Sequence, residues 1–133
     1  MIHPTALIHE QACVDQTVTI GRLTRVWQFA SVVRKSVIGD QVSIASTAIV
    51  DGARVWHRTR ISHGAFIDPG VVIGSECFIG PHAMLCNDPW PRTDRTGWHD
   101  IEVLAAGEIT VILVEDGASI GAGAVVMPGV RIG

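Results

Sequence analysis

Charge is scarce in this sequence: only 17% of its 133 residues are Asp, Glu, Lys or Arg, and the formal net charge is -3. The basic residues are scattered, so there is no electrostatic footprint for nucleic acid or for an anionic membrane surface. Neither is expected as a partner. Cysteine is also sparse. Cys13, Cys77 and Cys86 are odd in number and lack Cys-x-x-Cys spacing, which argues against a disulfide framework or a cysteine zinc site and fits a reducing cytoplasm. The N-terminal run MIHPTALIHEQAC has no basic segment followed by an apolar one, and no apolar run approaches a bilayer-spanning length. A cytoplasmic protein that is neither exported nor embedded in a membrane is expected.

What the chain does have is apolar residues, 47% of the total, enough for a packed interior and too many for disorder. Its length fits one domain spanning 1–133.

The apolar residues are phased. Ile2, Ile8, Val14, Ile20, Val26, Val32, Ile38, Ile44 and Val50 recur every six positions; after a five-residue step the series resumes at Val55, Ile61, Ile67, Ile73, Ile79 and Leu85. Four positions after most anchors sits a small or β-branched residue, among them Ala6, Thr24, Ala30, Ala48, Thr59, Ala65, Cys77 and Ala83. This period is neither helical nor a simple strand alternation, and Gly, Asp and Pro recur where turns belong. Short strands joined by tight turns, with every sixth residue pointing inward, build a prism of flat parallel sheets. Each coil of such a solenoid buries its anchors by stacking on the next. The fold class is therefore all-β, with about five coils before position 86 and one more after position 110.

Between them, Cys86 to Thr110 is the one long interruption. Pro89 and Pro91 stop it from continuing a sheet ladder, and Trp90 and Trp98 make an ordered, packed loop the expectation.

Histidine is the side chain best suited to take a proton from a nucleophile near neutral pH. His57 and His63 fall in consecutive hexads and hence on different sides of the prism, whereas His82 follows His63 by nineteen residues, about one coil. His63 and His82 are predicted to be neighbours at one corner, immediately below the excursion. Asn87, at its root, is placed to position an amine or a carbonyl. His63, His82 and Asn87 are thus the candidate catalytic set.

The hexad pattern resembles that of the hexapeptide-repeat transferases. That resemblance implies a left-handed parallel β-helix and a homotrimer; the general rule for parallel crossovers would favour the right hand. CNDPWPRTDRTGW followed by VEDGASIGAGAVVMPGVRIG resembles, more narrowly, the nucleotide-sugar amine N-acyltransferases of cell-surface polysaccharide biosynthesis. By that resemblance acetyl-CoA lies along the prism between two subunits, and the amino group of a nucleotide-linked amino sugar attacks its thioester. Asn87, Asp88 and Arg92 match the motif positions and would line the sugar or thioester site, and the backbone of Ser119, Gly121 and Ala122 would follow the pantetheine arm; Trp90, between Asp88 and Arg92, is a further substrate-binding candidate. No metal is expected. The chain departs from the pattern in carrying Ser-His-Gly around His63 where many relatives have Gln-Asn-Asn. It also stops at Gly133 in mid-hexad, so an incomplete C-terminal end is expected.

Two other readings compete. A zinc enzyme resembling the γ-class carbonic anhydrases needs three imidazoles at a subunit interface, and the spacing of His57 and His63 does not suit it. A non-catalytic structural trimer would use the repeats for assembly and the loop for a partner.

Overall fold

The computed structural model describes residues 1–94 and 99–133, and among them the hexads form a left-handed parallel β-helix. Three six-stranded parallel sheets make the sides of the prism. The first holds Leu7–Ile8, Arg25–Val26, Ser43–Ile44, Arg60–Ile61, Phe78–Ile79 and Ser119–Ile120; the second Cys13–Val14, Ser31–Val33, Ile49–Asp51, Phe66–Ile67, Met84–Leu85 and Val125–Val126. The third holds Thr19–Ile20, Val37–Ile38, Arg54–Val55, Val71–Ile73, Ile112–Val114 and Val130–Ile132. The chain visits them in that order in every coil. The six coils agree with the number expected from the repeat, and a bridge from Ile2 to Ile20 begins a further turn, giving about seven.

Why six residues suffice for each side follows from what points inward. Each two-residue strand turns one residue out and one in, and the inward anchors stack in register, as in Ile44 under Ile61 under Ile79. Ile38, Val55, Ile61, Ile67, Ile73, Ile79 and Leu85 are fully buried. The second phased series fills the corners: Ala30, Ala48, Ala65 and Ala83 are small enough for the chain to turn inside the prism. The buried polar members are satisfied locally. Thr24 Oγ1 donates to Gly39 O at 2.7 Å and accepts from Val42 N at 3.1 Å; Thr59 Oγ1 does the same at the same corner two coils on, with Gly74 O and Cys77 N.

The excursion leaves the second sheet after Leu85 and rejoins the third at Ile112, so it is an insertion at the second–third corner. Its latter part folds back as a short helix, α1 (Ile101–Ala105), whose N-cap Asp100 accepts a hydrogen bond from Glu102 N at 2.8 Å. Leu104 and Ala105 are buried against the same chain. A side chain at Gly70 would strike Leu104, and one at Gly52 would strike Ala105. The five-residue step between Val50 and Val55 runs through Gly52, so the one corner that is a residue short is where α1 docks. Arg54 fixes it there, with Nη1 donating to Ala105 O at 3.0 Å. Trp98, one of the two tryptophans that made a packed loop the expectation, lies outside the described residues. None of the described helices is long and apolar enough to cross a membrane.

Candidate active site

At the first–second corner, His82 N donates to His63 O at 2.9 Å, so the two histidines occupy adjacent coils as the nineteen-residue offset predicts. His82 has a left-handed backbone (φ 58°), and its ring lies over Gly64. A Cβ at Gly64 would come within 2.5 Å of that ring. Glycine is thus required under His82 twice over, by contact and by its own φ of +69°. Both histidines are exposed. His63 borders a groove of ≈ 560 Å³ on the first sheet, together with Trp27, Ser43, Arg60, Ser62 and Phe78. His57 sits at the third–first corner, where Nδ1 accepts from Asp40 N at 2.9 Å, and serves the turn rather than the groove.

Asn87 stands elsewhere. Its backbone N–H donates to Asp68 Oδ2 at 3.0 Å and its Nδ2 to Pro69 O at 3.1 Å, both at the second–third corner. The expectation that the histidines lie immediately below the excursion is therefore corrected: they occupy one edge of the second sheet and the root of the excursion occupies the other. The physical reason is the phase of the repeat. The excursion begins after Leu85, one full side of the prism beyond His82. Within one chain, His63 and His82 are brought together and Asn87 is not brought to them.

Around Asn87 the structure adds groups that the sequence reading passed over. Burial holds the Asp68 carboxyl above the ordinary range, partly offset by the Asn87 N–H and reinforced by the charge of Asp51, while Arg34 acts the other way. Asp51 is itself paired with Arg34 Nε at 2.9 Å. The Cys86 thiol is pushed up by burial and by the charge of Asp68, which disfavours the thiolate. The signal for Asp68 was present in the sequence: it precedes Asn87 by nineteen residues, the same offset that joins His63 to His82. With Nδ2 engaged by Pro69, Asn87 keeps Oδ1 to accept a hydrogen bond from outside the chain.

The other expected contacts divide between the two edges. Asp88 Oδ1 accepts from Trp90 N at 2.9 Å, and Trp90, in a loop expected to pack, is 70% exposed. Arg92 forms a two-point pair with Asp94 at 2.8 and 2.7 Å, which raises the arginine's pKa and lowers the aspartate's. Ser119 lies on the outer face of the first sheet beside Phe78. Gly121 and Ala122 pass over Gly80, where the backbones approach so closely that a side chain would be only 2.6 Å from Ala122 N. The three positions expected along a pantetheine arm thus share the histidine edge. Among the described residues, no three His, Cys, Asp or Glu side chains gather as a metal-binding group.

No family model matches the chain. Among solved structures, the acetyltransferase domain of PglB from Neisseria gonorrhoeae FA1090 is 27% identical with a TM-score of 0.70, over 95% of this chain and 53% of the other. The same domain in complex with acetyl coenzyme A matches at 25% and 0.69, over 96% and 53%. PerB from Caulobacter crescentus, in complex with CoA and GDP-perosamine, is 21% identical with a TM-score of 0.69, over 97% and 52%, a likeness of fold. The chain spans about half the length of these structures.

Proposed function

We propose that this chain is an acetyl-CoA-dependent N-acetyltransferase acting on the amino group of a nucleotide-linked amino sugar, and that it works in the cytoplasm as a homotrimer. The observation that carries the reading is the stacked His63–His82 pair at the edge of an open groove. It sits in a β-helix shared over nearly its whole length with an acetyltransferase domain solved with acetyl coenzyme A.

In the reaction the sugar amine attacks the thioester carbonyl, a C–N bond forms and the C–S bond breaks. His63 or His82 takes the proton released by the amine, and the CoA thiolate leaves and is protonated. Asn87 Oδ1 accepts from the amine and holds it in line, a positioning effect that carries much of the rate. The backbone of Ser119, Gly121 and Ala122 guides the pantetheine, while Asp88, Trp90 and Arg92 border the sugar.

A trimer reconciles the two edges. Beyond Cys13 and Ser31, the outer column of the second sheet between them is apolar over its last four rungs, Ile49, Phe66, Met84 and Val125, with Val125 62% and Met84 44% exposed. A closed ring packed through this side sets one subunit's histidine edge beside its neighbour's Asn87 edge.

The test is a panel of nucleotide-linked amino sugars with acetyl-CoA, followed by free-thiol release. The expected result is release dependent on one of the sugars, slowed by about 100-fold or more in H63A or H82A, the usual scale of a lost general base. Thiol release that no amino sugar stimulates would overturn the reading.

A further inference from the structure

The outer column of the first sheet runs Leu7, Arg25, Ser43, Arg60, Phe78 and Ser119 in register. On a chain with a net charge of -3, this column carries two guanidinium groups and no carboxylate. Arg25 and Arg60 flank Ser43, two rungs of the ladder apart, so their Cα atoms are roughly 9–10 Å from each other. Arg34, Arg58, Arg92 and Arg131 are each paired with a carboxylate. Among the described residues, Arg25 and Arg60 have no side-chain partner, and both are exposed.

Beside them the face is shaped as a trough. Two residues along each strand the next outward position is Trp27, then Ala45, then Ser62. The small side chains of Ala45 and Ser62 leave open space next to the indole, which is 42% exposed. Phe78, one rung beyond Arg60, closes the far side. One groove contains Trp27, Ser43, Arg60 and His63 and so leads from Arg60 to the histidine edge; Arg25 lines the adjoining hollow, which shares Trp27, Ser43 and Arg60 with it. Paired guanidiniums are matched to phosphate oxygens, and an indole with cleared space beside it is matched to a planar base.

We infer that this face seats a nucleoside diphosphate: its phosphates lie between Arg25 and Arg60 across Ser43, its base stacks on Trp27, and the group it carries points along the groove to His63. The inference rests on the proposed transfer for the identity of the carried group. Two molecules of that reaction bring this chemistry, the nucleotide-linked sugar and the adenosine diphosphate end of CoA, and they are separated by experiment.

Calorimetric titration of the full chain with UDP, GDP, CDP and dTDP, and separately with CoA, is compared for the native protein, R25Q/R60Q and W27A. All the substituted side chains are on the surface, so the fold is expected to persist; circular dichroism checks it. The native protein binds at least one nucleoside diphosphate or CoA, and R25Q/R60Q weakens that binding about tenfold or more, as the loss of charge-assisted hydrogen bonds requires. W27A weakens it as well. A loss confined to nucleoside diphosphates assigns the seat to the sugar nucleotide, and a loss confined to CoA assigns it to the acyl donor. Undiminished affinity in R25Q/R60Q, or no binding by the native protein, overturns the inference. If the arginine variants bind normally while the native protein still releases thiol with an amino sugar, only the seat is wrong. If the seat is verified and no amino sugar releases thiol, the transfer is wrong and the seat stands.

Discussion

Asp68 is a carboxylate at a corner where a neutral group would be less costly. Burial favours its protonated form, and the charge of Asp51 adds to that, so the folded chain keeps this proton to higher pH than the unfolded chain does. The stability gained from the bound proton is present below the ordinary carboxylate range, about pH 3.9, and is lost as pH rises through the raised folded value. Above that raised value the ionised side chain costs stability. D68N, which cannot ionise and still offers an oxygen to the Asn87 N–H, should melt at the same temperature as the native protein or higher at pH 7, with the gap narrowing toward pH 4. A variant less stable at both pH values would contradict the cause assigned to the shift. Gly64 makes the second case. G64A places a Cβ against the His82 ring and an L-residue at positive φ, which should cost about 1–2 kcal/mol and lower turnover as severely as H82A. Stability lost without turnover would mean that the position of the His82 ring is immaterial. The offset of nineteen made the His63–His82 pair legible in the sequence, but the need for glycine beneath His82 was not, because it depends on ring contact between coils.

Among the elements, the strands were legible and the helix was not. Strand positions follow from a period in which every sixth side chain is buried, and that signal survives in a bare sequence. Helix α1 has five residues, too few to display a helical period or to hold without docking. Its stability comes from Leu104 over Gly70, Ala105 over Gly52 and Arg54 on the last turn. The five-residue step at Val50 to Val55 marked the docking corner without saying what docks. Removing the anchor with L104A should cost about 2–5 kcal/mol of packing, felt mainly by the excursion. Amide exchange at Ile101–Ala105 should accelerate while the amides of Phe66–Ile67 and Phe78–Ile79 are unchanged. Acceleration in the strands too would mean that the excursion and the prism unfold as one unit.

For the whole molecule, the β-helix was legible because stacked repeats impose one rule on every coil, whereas the placement of the candidate site was only half legible. Phase put His63 and His82 together correctly, yet it also separates Asn87 from them by the width of the second sheet, which counting toward the excursion overlooked. The proposed site therefore needs two edges to meet across an apolar side, with the histidines from one subunit and Asn87 from the next. Co-expression of two differently tagged inactive chains, H63A/H82A and N87A, measures this directly through thiol release from acetyl-CoA in the presence of the accepted amino sugar. Each variant alone should be nearly inactive, and the purified mixed assembly should regain about a third of the native rate, because a ring of three that holds both chains has one intact edge pair among its three. Mixed assemblies no more active than either parent would contradict a site built between subunits.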